Sequence, residues 1–307
     1  LLAPDPATAP EAVGRAYAAN TAGAVLGSLG TGLVLLPLLG LQDSLWLAST
    51  VFALAAGLLL AERRRLALAL PALFALGAVA TPDWNPRHMN LAPHIYGKDL
   101  VANPVALAQM RDSGSVLMHR EGRGATVTVL QRPDGARVLR INGKTDASTH
   151  EDRMTQAWIG RLPAVLAERA TDVFVLGLGS GMSLAPLLER ADLTRLQVAE
   201  LLPEVAEAAH AFSPLIGAPL DDPRTELVVG DGRHLLAQQP GAWDIVVTQP
   251  TNLFVSGMST LFTVEAFEIV RRALRPDGLA VVWLQGYLLP EEDFRTIVRT
   301  FLAAFPD

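Results

Sequence analysis

The stretch Val173-Phe174-Val175-Leu176-Gly177-Leu178-Gly179-Ser180-Gly181 constrains the fold more than any other part of the chain. A short apolar run of this kind reads as a buried strand, and the glycines after it let the backbone come close to a bound group. Val198-Ala199-Glu200-Leu201 repeats the apolar strand and places an acid at its tip. Strand, glycine turn, helix, strand and acid form the pattern by which an open α/β sheet holds a nucleoside. The acid accepts hydrogen bonds from ribose hydroxyls. Gly177, Gly179, Gly181 and Glu200 are therefore cofactor-binding candidates.

The spacing narrows the cofactor. A dinucleotide site wants G-x-G-x-x-G, and here Met182 stands where the third glycine would be. No Lys-Ser/Thr pair follows, which argues against a phosphate-gripping loop. The shorter turn suits a cofactor without pyrophosphate, such as S-adenosylmethionine or a relative. Val228-Val229-Gly230-Asp231-Gly232 is a third apolar strand ending in an acid. Asp231 can meet an adenine amino group or cap a helix running from His234 onward, and both roles can hold together. Leu201 and Gly232, beside the two acids, complete the cofactor-binding set.

The second half of the chain alternates strands and helices. Strands are expected at Val173–Leu176, Leu196–Ala199, Glu226–Val229, Ile245–Thr248 and Leu279–Trp283. Helices are expected near Ser183–Arg190, Pro203–Phe212, Arg233–Gln238, Val264–Leu274 and Glu291–Phe305. Such alternation implies a mainly parallel sheet with helices on both faces. Before it, Ala125–Gln131 and Ala136–Ile141 read as a hairpin around Pro133-Asp134-Gly135, and Asn142-Gly143 turns again.

The first 80 residues differ. Half of the chain is hydrophobic and only 18% is charged. Its mean hydropathy of +0.30 is too apolar for an ordinary soluble protein, so a membrane part is expected. Apolar runs at Thr21–Leu41 and Ser44–Ala61 approach the roughly 20 residues a bilayer requires. A third, Leu66–Ala80, is shorter, contains Pro71, and reads as re-entrant, interfacial or a buried soluble helix. Arg63, Arg64 and Arg65 belong on the cytoplasmic side. A third run that does not fully cross would keep the catalytic part cytoplasmic. A multi-pass inner-membrane location follows. The division expected is 1–81 for membrane helices, 82–162 for a linker and β unit with a gate loop, and 163–307 for the nucleoside-binding domain. A net charge of −6 argues against nucleic acid as a partner. With no cysteine there is no thiol nucleophile or disulfide, and the histidines lack ligand spacing, so no metal is expected. The chain begins without Met, which suggests a piece of a longer protein.

Taken together, these residues resemble the spermidine synthase family, and more closely its membrane-fused bacterial branch. The resemblance rests on Arg120-Glu121-Gly122, Ile141-Asn142-Gly143-Lys144, the glycine turn, Leu261-Phe262-Thr263 and Trp283-Leu284-Gln285, in this order. Tyr17-Ala18-Ala19-Asn20-Thr21-Ala22-Gly23-Ala24 looks like the entry to that branch's last membrane helices. The resemblance implies a small antiparallel β unit before a Rossmann-like, class I methyltransferase-type sheet. It implies decarboxylated S-adenosylmethionine as aminopropyl donor and a putrescine-like amine as acceptor. By position, Glu200 would take the ribose and Asp231 the adenine. The loop from Asp146 to Gln156 would cover the donor and help form the acceptor pocket. Soluble relatives form oligomers, so a homo-oligomer is an expectation by analogy.

The departures from the family fall where the chemistry should be. Ser180 replaces an aspartate in the glycine turn, Gln249 replaces the aspartate after the fourth strand, and Thr155 stands where the gate loop carries a tyrosine. Gln249 can orient an amine but cannot take its proton. Asp146, Glu151 and Asp152 are the acids that could substitute, unless they merely favour a helix N-terminus. Ser180, Thr155, Gln156 and Tyr287 are the substrate-binding candidates. Three functions fit. The first is aminopropyl transfer to a polyamine. The second is methyl transfer from S-adenosylmethionine. The third is a non-catalytic membrane protein that binds an adenosyl ligand or a polyamine.

Overall fold

The computed structural model describes residues 9–59, 64–103, 105, 114–251, 253, 255, 257–286 and 289–306. Two compact units are present: Leu1–Asn85 with Glu121–Ala125, and Pro86–Arg120 with Thr126–Asp307. The β unit and the nucleoside-binding segment thus fall in one compact unit.

In the first unit, α1 (Ala9–Gly30) passes through a π-helical stretch (Thr31–Leu35) into α2 (Leu36–Leu59), and α3 (Arg64–Ala80) follows. Ala9–Leu59 is the one described helical stretch long and apolar enough to cross a membrane, with a mean hydropathy of 2.0 over its most apolar window. At Gly40 the backbone leaves helical geometry, with φ 76° and ψ 177°. An L-residue rarely adopts that positive φ, so the break is glycine-dependent. Helices α2 and α3 pack closely. A Cβ on Gly57 would lie 2.5 Å from the Ala67 carbonyl oxygen, and one on Gly77 would lie 3.0 Å from the Trp46 ring. By contrast, Gly23 and Gly27, whose spacing suggests a helix-packing motif, have open space around them.

The second unit opens with α4 (Pro86–Met89) and α5 (Pro93–Ala102). Four strands follow: β1 (Ser115–Glu121), β2 (Thr126–Gln131), β3 (Arg137–Ile141) and β4 (Lys144–Ser148). They form one sheet in sequential order. The expected hairpin is its middle pair, β2–β3, aligned antiparallel from Val127 opposite Ile141 to Gln131 opposite Arg137. Strand β4 was not legible in the sequence because Lys144-Thr145-Asp146-Ala147-Ser148 has no apolar alternation. It forms because Asn142 and Gly143 take φ 51° and 81°, the two left-handed residues of a tight hairpin turn.

Helix α6 (Arg153–Leu166) leads into the alternating half. There β5 (Asp172–Leu176), α7 (Leu184–Leu188), β6 (Arg195–Glu200), α8 (Pro203–His210), α9 (Ser213–Ile216) and β7 (Thr225–Val229) follow in turn. After them come α10 (Gly232–Ala237), β8 (Trp243–Thr248), α11 (Val264–Ala273), β9 (Leu274–Val282) and α12 (Glu291–Ala304). The sheet order is β7-β6-β5-β8-β9, and all its pairs are parallel. This is the expected doubly wound α/β architecture. Strand β9 begins five residues before the expected Leu279. Leu274 pairs with Trp243 ahead of a register shift, and the chain turns through Asp277 at φ 63°.

Every residue of β8 is buried. Phe174 and Trp243 meet edge to face with ring centroids 5.2 Å apart, and Arg195 lies 4.6 Å over the Trp243 ring. Burial of such a side chain is worth about 1.5–3 kcal/mol. The outcome for function is positional. With β5 central and the chain winding first to β6 and then to β8, the crevice lies outside the carboxyl ends of β5 and its neighbours.

Candidate functional site

Three loops meet at that edge. Gly177 follows β5 with φ +91°, and a Cβ there would lie 2.9 Å from the Gln249 carbonyl oxygen. Its N–H donates to the Ala199 carbonyl at 2.8 Å. The Gln249 backbone N–H donates to Leu176 O at 2.9 Å, and its side-chain Nε2 donates to Gly177 O at 2.6 Å. Gln249 therefore stitches the tip of β8 to the glycine turn. Gly179 has φ +56° and open space where a Cβ would be, while a Cβ on Gly181 would make only ordinary contacts.

Glu200 ends β6 with 8% exposure. Its Oε2 accepts from the Leu178 N–H and its Oε1 from the Leu202 N–H, both at 2.9 Å. The acid thus braces the glycine turn, a task its sequence position did not reveal. Burial raises its pKa above the usual 4.5, and the N–H groups of Leu202, Leu178, Gly179 and Leu201 oppose that rise. Leu201 itself is 56% exposed.

Asp231 caps α10, accepting from the Arg233 N–H at 2.9 Å. It also pairs with the Arg233 guanidinium at 2.9 Å, which holds its carboxyl below the usual range. The capping alternative is thus realised, with the helix starting at Gly232, two residues before the expected His234. Gly232 is buried, and a Cβ there would lie 2.7 Å from Leu176 Cγ and 3.1 Å from Ala199 Cβ. Close helix-on-sheet packing is what the geometry assigns to it.

A second cluster belongs to the β3–β4 hairpin and α6. Ser180, 1% exposed, donates to Gln156 Oε1 at 2.7 Å. Gln156 Nε2 in turn donates to the Asp146 carbonyl at 3.2 Å. The Asp146 carboxylate accepts from Lys144 Nζ at 2.9 Å and from the Thr251 hydroxyl. An unbroken chain of bonds so runs from the glycine turn to the loop after β8. Gly160 in α6 permits it, because a Cβ there would lie 1.9 Å from the Ser183 carbonyl oxygen. Asp152 occupies the N-cap position of α6 but makes no capping bond. Burial raises its pKa, the Glu151 and Asp146 charges add to the rise, and the Lys144 charge opposes it.

Not every expected residue joins. Glu151 is held by the Ser148 hydroxyl and the Arg132 guanidinium, which together lower its pKa to about 2. Its side chain is 57% exposed and already neutralised, so it departs from the role of a substitute base. Thr155 is exposed. His150 faces Asp134 at 3.4 Å on the surface, and Met182 is buried packing. Tyr287 lies outside the described residues. Lys144 and Thr251 were missed, because a lysine in a polar strand carries no sign of burial. Gln285, which follows the last expected strand, is 7% exposed and donates to Pro250 O at 3.1 Å, with Oε1 buried and unpartnered. Among the described residues, no group of three His, Asp or Glu side chains could hold a metal ion.

Comparison with known proteins follows the same geometry. Residues 152–307 match the model of the spermine/spermidine synthase domain. The chain is 29% identical over 197 residues to polyamine aminopropyltransferase 2 of Pseudomonas aeruginosa, covering 62% of this chain and 55% of that protein. It is 28% identical over 299 residues to a polyamine aminopropyltransferase of Mycobacterium tuberculosis, covering 94% of this chain and 54% of that one. The chain therefore spans about half the length of these curated relatives. A spermidine synthase solved with the transition-state analogue AdoDATO superposes with a TM-score of 0.59 at 21% identity, over 62% of this chain and 66% of that one. The Thermotoga maritima spermidine synthase gives 0.57, also at 21% identity, over 62% of this chain and 65% of that one. These likenesses bear out the fold.

Proposed function

Because the chain belongs to the spermine/spermidine synthase family, we propose that it moves an aminopropyl group from decarboxylated S-adenosylmethionine to an aliphatic amine. Polyamines are the first acceptors to try, on the names of the relatives. The observation that carries the reading is the convergence of the glycine turn, Glu200 and Gln249 at one sheet edge, with Asp146 tied to that edge through Gln156 and Ser180.

The reaction makes one N–C bond and breaks one C–S bond. Methylthioadenosine leaves and the amine loses a proton. The sulfonium already activates its leaving group, so alignment and deprotonation are the demands left for the protein. Glu200 and the glycine turn hold the ribose, and Asp231 turns toward the adenine from the start of α10. Leu201 lines the same nucleoside, Gly232 lets α10 pack close beneath it, and Ser180 and Gln156 border the acceptor. Gln249 orients the amine through its carbonyl oxygen. Asp152, half-buried, without a capping bond and within the field of the Lys144 and Asp146 charges, is the candidate proton acceptor, and its raised pKa makes it a stronger base than an ordinary carboxylate. Asp146 assists by fixing Thr251. The helices before Thr81 anchor this domain to a bilayer. The break at Gly40 leaves room for more than one crossing; the cytoplasmic side of the inner membrane follows from where adenosyl donors are made, and homo-oligomers from analogy with soluble relatives.

The test uses the full chain in detergent with decarboxylated S-adenosylmethionine, offering 1,4-diaminobutane and butylamine in parallel. Methylthioadenosine and aminopropylated amine should appear in equal amounts. Asp152→Asn should lower kcat by roughly 10²–10⁴-fold while methylthioadenosine still binds. A strong preference for S-adenosylmethionine, with methylated product, would overturn the reading in favour of methyl transfer.

A further inference from the structure

The Lys144–Asp146 pair is unusual for its burial. The two side chains are 6% and 10% exposed, and their charged atoms lie 2.9 Å apart. Lys144 Nζ also donates to the Thr145 carbonyl at 2.9 Å and approaches the Thr251 hydroxyl at 3.5 Å. The pair bonds the loop after β8 through the Thr251 hydroxyl, while the Asp146 main-chain carbonyl is linked to the glycine turn through the Gln156 side chain and Ser180. A diamine brings two ammonium groups, and each needs a carboxylate or equivalent acceptors when taken out of water. Here the most buried hydrophilic acid of the hairpin already holds an ammonium supplied by the protein. An incoming cation would have to separate a buried ion pair whose partner is tethered two residues away. One carboxylate in the cluster remains uncommitted. Asp152 makes no capping bond, and no ion pair is formed with it among the described residues. Gln285 Oε1, beside Pro250, adds a buried neutral acceptor without a partner.

We infer that Lys144 fills the second-ammonium position of the acceptor site from inside the fold, so that this chain selects an amine with one cationic end and an uncharged remainder. The inference rests on the aminopropyl-transfer reading for the location of the acceptor, and it narrows the substrate class within it. Lys144 is a specificity-determining residue rather than a catalytic one. Asp152 receives the single amine, and Gln285 contacts it through a neutral acceptor.

Binding of 1,4-diaminobutane and of butylamine to the full chain saturated with methylthioadenosine tests this by calorimetry. Wild type should bind the diamine no better than the monoamine. Lys144→Met should free Asp146 and shift the ratio toward the diamine by about tenfold, the scale of a buried charge contact. Lys144→Met/Asp146→Asn should cancel that shift. A wild type that prefers the diamine tenfold, or a ratio unmoved by Lys144→Met, overturns the inference. If Lys144→Met does not fold, as judged by near-ultraviolet circular dichroism, Lys144→Gln takes its place: a ratio shifted toward the diamine supports the inference, and an unmoved ratio overturns it. Failure to bind methylthioadenosine at all counts against the aminopropyl reading itself, whereas an amine ratio contrary to expectation with the nucleoside bound counts against Lys144 alone.

Discussion

The parallel sheet β5–β9 and the β3–β4 hairpin contribute to the same candidate site by opposite means. The sheet edge is built on apolar burial: Phe174, Val246 and Trp243 are fully buried, and the loops above them hold their shape through backbone bonds and glycines. The hairpin contribution is polar and depends on side-chain pairing, Lys144 with Asp146, Asp146 with Thr251, and Gln156 with Ser180. The difference teaches that the glycine turn and its bracing acid are products of the fold, whereas the hairpin side of the candidate site is a product of particular charged residues. The first should tolerate few core changes, and the second should be retuned by single substitutions.

The largest effect should come from breaking the sheet side. Phe174→Ala removes a fully buried ring that stacks edge to face on Trp243 and should cost about 3–5 kcal/mol in urea unfolding. A loss below about 1 kcal/mol would mean that the core around β5 collapses to fill the space.

A smaller effect should appear in the pH profile of the cradle. Glu200 has its pKa raised by burial, so its carboxylate protonates as pH falls through a value above 4.5. A protonated acid is a poorer acceptor for ribose hydroxyls, so methylthioadenosine affinity should fall with it, at most about tenfold per pH unit. Glu200→Gln should weaken binding and flatten the profile. The stability term has the opposite sense. A raised acid keeps its proton longer in the folded state, so its contribution declines as pH rises from 4.5 toward the folded value. An unaltered profile in Glu200→Gln would remove the residue from the cradle.

The smallest effect belongs to the exposed rim of the hairpin. Glu151 has its pKa lowered to about 2, first by Ser148 and then by Arg132, so its contribution is present above 4.5 and is lost as pH falls toward 2. Because its side chain is 57% exposed, solvent screening leaves little of it, and Glu151→Gln should change stability at neutral pH by about 0–1 kcal/mol. The same variant should leave turnover unchanged. A large drop in kcat would return Glu151 to the set of proton acceptors and blur the contrast between buried pair and exposed rim.

Much of this was legible in the chain because apolar periodicity and glycine spacing are local signals. All five strands of the parallel sheet were anticipated within a few residues, as were Gly177 and Glu200 at their tips. The middle pair of the antiparallel sheet was equally visible. Its outer strand β4 was not, since Lys144 to Ser148 owes its extended form to the left-handed Asn142-Gly143 turn and to pairing with β3. The acids at 146, 151 and 152 looked alike in the sequence, and the fold separated them. Asp146 became buried against Lys144, Glu151 was drawn out to Arg132, and Asp152 was left half-buried without a cap.

By itself, then, the sequence determined the doubly wound sheet, its glycine turn and the acid at the end of β6, because burial pattern and φ preference are properties of neighbouring residues. Only the tertiary structure decided that Glu200 braces the glycine turn, that Gln249 is bonded to Gly177, and that Lys144 is buried between Asp146 and Thr251. Those facts join residues as far as 107 positions apart. Charge pairing and desolvation depend on distance in space, which no local pattern encodes.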